Sequence, residues 1–224
     1  MSGPLVQVSD LRVAFRSQDG TANAVNGVDF TLDGGEVLVI LGESGSGKSV
    51  TMRAMMRLLP GRKTDITGSV RIAGHDILGL SERRMADLRG PVVSMIFQEP
   101  MTAFDPVFTV GDQISESIRR HEGVSKHEAR RRALELLELV QIPSAKRRLD
   151  NYPFEMSGGM RQRAMIALAL ACKPSLLLAD EPTTALDATV QIQILLLLRQ
   201  LQRELGMAVM FVTHDIGVAV EIGD

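Results

Sequence analysis

The stretch Glu36-Val37-Leu38-Val39-Ile40-Leu41-Gly42-Glu43-Ser44-Gly45-Ser46-Gly47-Lys48-Ser49-Val50 decides the architecture. Its first part, Glu36 to Leu41, is an apolar run that predicts a strand buried on both faces in a parallel sheet. Gly42 to Ser49 fits the spacing G-x-x-x-x-G-K-[ST], and Val50 to Leu59, stopping at Pro60-Gly61, is compatible with a helix. Glycines in such a loop let consecutive backbone N–H groups turn inward as an anion nest, and the helix N-terminus adds partial positive charge. Lys48 supplies a mobile cation for β and γ phosphates, and the Ser49 hydroxyl can ligate Mg²⁺. Strand, loop and helix in that order point to a nucleoside triphosphate.

Working outward, Leu176 to Ala179 and Ala208 to Val212 read as further buried parallel strands, and Val92 to Phe97 as another. Upstream the pattern is different. Leu11, Val13 and Phe15 alternate with polar or small residues, as do Val28, Phe30 and Leu32, with Gly20, Gly27 and Gly34-Gly35 as turns. These are half-buried antiparallel strands. From Thr109 to about Ala171 the chain reads as mostly helical, with Ser125-Lys126-His127-Glu128 predicted to be a capping box and Ala129, Ala133, Leu137 and Val140 as the apolar stripe behind it. The expected fold is α/β, of P-loop NTPase type: a parallel-sheet core, an antiparallel layer from the N-terminus and a helical subdomain. As one domain over 1–224, it divides into core plus antiparallel layer (1–97 and 173–224) and helical subdomain (about 98–172).

Composition narrows the function. The 224 residues carry 25 Lys+Arg and 27 Asp+Glu, a formal charge of −2, which lacks the basic footprint of a nucleic-acid binder. One cysteine, Cys172, excludes an intramolecular disulfide and any multi-cysteine metal site in this chain. Met1-Ser2-Gly3-Pro4 does not open a signal peptide, and the longest apolar run, Met165 to Cys172, is far below the roughly 18 residues that cross a bilayer. These features predict a soluble, intracellular chain. The clusters Arg130-Arg131-Arg132 and Lys146-Arg147-Arg148 read as a solvated helix face.

Asp180-Glu181 ends a buried strand, where ligands collect in parallel sheets. Beside a phosphate loop, Asp180 suits the Mg²⁺ shell and Glu181 suits the general base that takes a proton from an attacking water. Ser157-Gly158-Gly159-Met160 opens a helix with an N-cap serine and exposed N–H groups, a second anion site with no second phosphate loop to use it.

At this point the chain resembles the ATP-binding-cassette (ABC) ATPases over essentially its whole length. Ser157 to Met160 matches their signature motif, Gln98 the Q-loop glutamine, Ala185-Leu186-Asp187 the D-loop and His214 the switch histidine. Phe15 sits where that family places an aromatic on adenine. Met156 and Met160 depart from the family's usual Leu and Gln, and Met160 loses a polar contact to ribose or phosphate. Yet Tyr152-Pro153 with Glu155 and Ser157 to Arg163, and Phe97 to Pro106, resemble the branch serving peptide and nickel importers.

The resemblance implies an ATPase with ATP and Mg²⁺ as cofactors. Its catalytic residues would be Glu181, His214 and Gln98, its metal residues Ser49, Gln98 and Asp180, and its nucleotide-binding residues Phe15 and Gly42 through Val50 (Gly42, Glu43, Ser44, Gly45, Ser46, Gly47, Lys48, Ser49, Val50). It implies a second ABC ATPase subunit, identical or not, that receives Ser157, Gly158, Gly159 and Met160 in trans. It further implies integral-membrane permease subunits, an extracytoplasmic solute-binding protein acting indirectly, no nucleic acid, and a peripheral location on the cytoplasmic side of the inner membrane. The stiff segment Glu99 to Val110, with Pro100 and Pro106, would report to the permease. A soluble ABC ATPase of DNA or ribosomes is the alternative; no sustained heptads separate Lys48 from Ser157, and only one cassette is present. Because family members continue with strands after the switch histidine, a chain stopping at Asp224 is expected to be C-terminally truncated. Lys48→Ala is predicted to weaken ATP binding by about tenfold to a hundredfold, the loss of charge-assisted bonds to phosphate, as read by a binding titration; undiminished affinity refutes the role.

Overall fold

The computed structural model describes residues 3–18, 20–184 and 186–223, so Met1, Ser2, Ala185 and Asp224 of the sequence analysis lie outside the described residues. The N-terminal layer is a long hairpin, β1 (Val6–Ser17) and β2 (Gly20–Leu32), followed by β3 (Val37–Leu41) and α1 (Lys48–Met55). Next come β4 (Thr64–Ile72), β5 (His75–Asp76), α2 (Glu82–Leu88) and β6 (Val93–Ile96). The helical part holds α3 (Val110–Glu122), α4 (Lys126–Leu139), α5 (Ala145–Arg148) and α6 (Gly158–Ala169). The chain then runs through β7 (Leu176–Asp180), α7 (Ala188–Leu205), β8 (Ala208–Thr213) and α8 (Ile216–Ile222).

Two sheets result. One is antiparallel, ordered β2-β1-β4-β5, and the other is parallel, ordered β3-β8-β7-β6. The antiparallel layer therefore recruits β4, which the reading of the N-terminus left out although Ile66, Val70 and Ile72 alternate along it. At Asp10 the β1 backbone turns left-handed (φ 44°) and the register shifts against both neighbours. Gly68 of β4 answers this bulge: it sits at φ 96°, and a Cβ there would lie 2.3 Å from the Asp10 carbonyl oxygen. Only glycine satisfies both conditions.

In the parallel sheet, β7 and β8 are buried along their full length, as a doubly covered strand requires. β3 differs from the expectation. Val37 to Ile40 are half-buried and Leu41 is 47% exposed, because among the described residues β3 is an outer strand paired only with β8. One core lies between the antiparallel layer, α1 and one face of the parallel sheet, where Val8, Leu11, Val13, Met52, Met55 and Met210 meet. A second core joins the other face to the helical part through Phe211, Ile114, Leu137, Met165 and Leu198.

Two helix expectations need correction. α1 begins at Lys48 and stops at Met55, short of Leu59. Arg57 takes a left-handed φ of 51°, and Arg89 donates to the carbonyls of Met56 (3.1 Å) and Arg57 (3.2 Å), which satisfies the helix end early. At Ser125 only half of the capping box forms: Ser125 Oγ accepts from the Glu128 N–H at 3.2 Å, while the Glu128 carboxylate takes two bonds from Arg131. The α4 stripe of Ala129, Ala133 and Leu137 is fully buried, and Val140 beyond it as well. Arg130, Arg131 and Arg132 pair with Asp150, Glu128, Glu135 and Glu122, a self-neutralised surface. Gly68→Ala is expected to destabilise the fold by about 2–4 kcal/mol through the forced φ and the backbone clash, read as a lower urea midpoint at unchanged m.

Candidate active site

The C-terminal ends of β3, β7 and β8, and the turn after β6, open on one cleft of about 790 Å³. The topology of a parallel sheet brings these ends together whatever their separation in sequence. The loop Gly42–Gly47 forms its floor. Gly47, with φ 91°, presses against β2 so closely that a Cβ would stand 2.3 Å from the Ala24 carbonyl oxygen. Alanine has no room there, and the glycine fixes where α1 starts.

Lys48 is buried, and its ammonium donates to the carbonyls of Gly42 and Glu43, both at 2.7 Å, with Ser46 Oγ at 3.4 Å. The cation is thus held over the loop that the sequence assigned to phosphate. Ser49 Oγ donates to Asp180 Oδ1 at 2.6 Å, which ties the first turn of α1 to the end of β7. Asp180 has no exposed surface, its Oδ2 has no hydrogen-bond partner, and the nearest cation, Arg53, is 4.0 Å away. Burial drives the Asp180 carboxyl above the usual carboxylate range; the Ser49 bond and the Arg53 charge pull the other way without cancelling it. A buried oxygen without a donor, beside a serine hydroxyl, is a fitting ligand set for a hard divalent cation.

Glu181 follows in a left-handed conformation (φ 45°), rare for a non-glycine residue and held by its N–H donating to the Val212 carbonyl at 3.1 Å. This turn points the side chain into the cleft rather than along the sheet. Three groups converge on its Oε2: Gln98 Nε2 at 3.4 Å, Thr184 Oγ1 at 2.9 Å and His214 Nδ1 at 3.2 Å. Gln98 comes from the loop after β6 and His214 from the loop after β8. The His214 side chain is 57% exposed and that of Glu181 only 12%, so the histidine closes the contact from the solvent side.

Gln98, Glu181 and His214 line the same cleft as Gly42, Glu43, Ser44, Gly45, Gly47, Lys48, Ser49 and Val50. Ser46 closes the loop against the Lys48 ammonium, and Asp180 lies beneath the surface. Phe15 is elsewhere: it is half-buried on β1 against the N-terminal core and does not line the cleft. Nor do Ser157, Gly158, Gly159 and Met160. Ser157 caps α6 by accepting from the Met160 N–H at 3.3 Å, on a surface away from this chain's own cleft, and Met160 packs against the helical core. Asp187 caps α7 through the Val190 N–H at 3.0 Å and is exposed. Sequence reasoning passed over Thr184 and Arg53. A hydroxyl three residues beyond Glu181 was the available signal for the first; the approach of Arg53 to Asp180 had none.

A protein-family profile described as "ABC transporter" matches residues 25–184. A probable peptide ABC transporter ATP-binding protein, y4tR of Sinorhizobium fredii, is 54% identical over 97% of this chain and 65% of its own length. The oligopeptide transport ATP-binding protein OppD of Salmonella typhimurium is 52% identical over 98% of this chain and 65% of its own. The chain thus spans about two thirds of the length of these curated relatives. Among solved structures, the dimeric post-hydrolysis state of the ATP-binding cassette MJ0796 bound to ADP and Pi superposes with a TM-score of 0.85 at 31% identity, covering 96% of this chain and 90% of that one. Cassette cbiO1 of Clostridium perfringens, part of the cbiONQ transporter complex, gives 0.81 at 27% identity, covering 100% and 83%.

The buried Asp180 carboxyl leads to a test. Its folded-state pKa lies above the unfolded one, so its contribution to stability is complete below the unfolded value and is lost as pH rises through the folded value. Asp180→Asn is expected to raise the nucleotide-free unfolding midpoint at neutral pH by about 2–4 °C, while weakening Mg²⁺-dependent ATP binding; thermal scans with and without Mg²⁺-ATP check both.

Proposed function

This chain belongs to the ABC transporter family, and from that membership we propose that it binds and hydrolyses ATP to power import of peptides or a similar small solute through a membrane permease. The observation that carries the reading is the meeting of Glu181, Gln98 and His214, from three separate strand ends, over the Lys48–Ser49 loop.

Triphosphate seats on the N–H groups of Gly42–Gly47 and at the N-terminus of α1. Lys48 then exchanges the Gly42 and Glu43 carbonyls for β and γ phosphate oxygens. Ser49, Asp180 and Gln98 would hold Mg²⁺, which neutralises charge between those phosphates. The family resemblance assigns the adenine to Phe15, which stands on β1 outside the lining of the cleft. Glu181 takes a proton from a water as the water oxygen bonds to the γ phosphorus and the bond to ADP breaks. His214 contacts the γ phosphate and so distinguishes ATP from ADP.

Ser157 to Met160 stand outside this chain's cleft, which supports their use by the nucleotide of a second ABC subunit, with Asp187 at the same contact. The dimeric state of the MJ0796 cassette supports the same arrangement. ATP then joins two subunits, and loss of the γ phosphate releases them. Beyond Gln98, the segment Glu99 to Val110 exposes Met101 (42%), Val107 (68%) and Phe108 (53%), an apolar surface suited to a permease. No helix among the described residues is long and apolar enough to cross a membrane, so on this reading the chain attaches peripherally, on the cytoplasmic side. A solute-binding protein outside the membrane would deliver the cargo, for which the relatives named for peptides are the support.

Glu181→Gln is predicted to keep ATP binding, lose turnover by about 10²- to 10⁴-fold, and accumulate an ATP-bound dimer. Phosphate release and size-exclusion light scattering read the two effects. Hydrolysis at the wild-type rate sinks the base assignment.

A further inference from the structure

We propose that Thr184 is a positioning residue for Glu181, the donor that keeps the carboxylate aligned after ATP has drawn Gln98 and His214 away. The inference rests on the reading of Glu181 as the base. A single oxygen, Oε2, receives Gln98 Nε2, Thr184 Oγ1 and His214 Nδ1. A carboxylate oxygen offers about two lone-pair directions, so three donors saturate it and none is left on that side for a water.

The three donors are not equivalent. Gln98 and His214 stand on loops that follow β6 and β8, and the proposed function gives each a second duty, toward metal or γ phosphate. Thr184 is the shortest contact, at 2.9 Å, and belongs to the same tight turn as Glu181. Its backbone N–H donates to the Glu181 carbonyl at 3.2 Å, and Pro182 restricts the turn between them. The Glu181–Thr184 bond is therefore set by local chain geometry and survives rearrangement of the other two loops. It leaves Oε1 free to face the water while Oε2 is pinned, the kind of alignment on which proton abstraction depends. The turn runs on through the Leu186 N–H, which donates to the Thr183 carbonyl at 3.3 Å, into Asp187 at the cap of α7.

Thr184→Val removes the hydroxyl and keeps the shape; Thr184→Ser keeps the hydroxyl. The expected result is a kcat about tenfold to a hundredfold lower for Thr184→Val with KM for ATP within about twofold, and recovery to within about threefold for Thr184→Ser. ATP titration of each variant shows that binding is intact, with Thr184→Ala as the second hydroxyl-free variant. In the double-mutant cycle, adding Thr184→Val to Glu181→Gln costs nothing further, because the two act as a unit. The assignment is overturned by wild-type kcat in both hydroxyl-free variants, by a Thr184→Ser variant as impaired as Thr184→Val, or by an additive loss on the Glu181→Gln background. Unimpaired hydrolysis by Glu181→Gln removes the base itself, whereas an inactive Glu181→Gln beside a fully active Thr184→Val overturns only the role of Thr184.

Discussion

The hydrogen bond from Ser49 Oγ to Asp180 Oδ1, 2.6 Å long, joins two segments separated by most of the chain. Everything at the cleft is registered against it. It ties the start of α1, and with it the phosphate loop, to the end of the most deeply buried strand. A carboxylate without exposed surface holds its place only when its hydrogen bonds are good, and here Oδ1 is satisfied by Ser49 while Oδ2 has no hydrogen-bond donor. The burial of this carboxyl is a local cost to stability, and on the proposed function it is a cost that bound metal and nucleotide would relieve.

The same economy appears one residue later. Glu181 adopts a left-handed backbone that points its side chain off the sheet, and a proline-containing turn fixes that direction. Both acids leave the same strand end, yet one is sealed beneath the surface and the other faces the cleft. The different duties proposed for them rest on this difference of environment rather than on chemistry, since the two side chains carry the same group. Lys48, meanwhile, is held by carbonyls of its own loop; on the proposed function a triphosphate would replace these neutral acceptors with charged ones and gain binding from that exchange.

Much of this was legible in the sequence because it is local. The phosphate loop is readable since glycine, lysine and serine must occur at fixed spacing for backbone N–H groups to converge. The parallel strands are readable since full burial demands unbroken apolar runs, as in Leu176 to Ala179. Where reading failed, the deciding partner was distant. α1 ended early because Arg89 reached its last carbonyls. Glu128 left its expected cap for Arg131, a stronger charged partner. β3 looked like a central strand, but its neighbours left it half-exposed.

The sequence by itself determined the class of fold, the phosphate loop, the acidic pair and the family resemblance, all of which depend on spacing along the chain. Tertiary structure alone decided which groups meet. It brought Gln98, Thr184 and His214 onto one oxygen of Glu181, left a buried oxygen of Asp180 without a hydrogen-bond donor, and kept Ser157 to Met160 out of this chain's own cleft. The physical reason is that a parallel sheet gathers the ends of strands that are far apart in sequence, and only the packed sheet sets the distances between them.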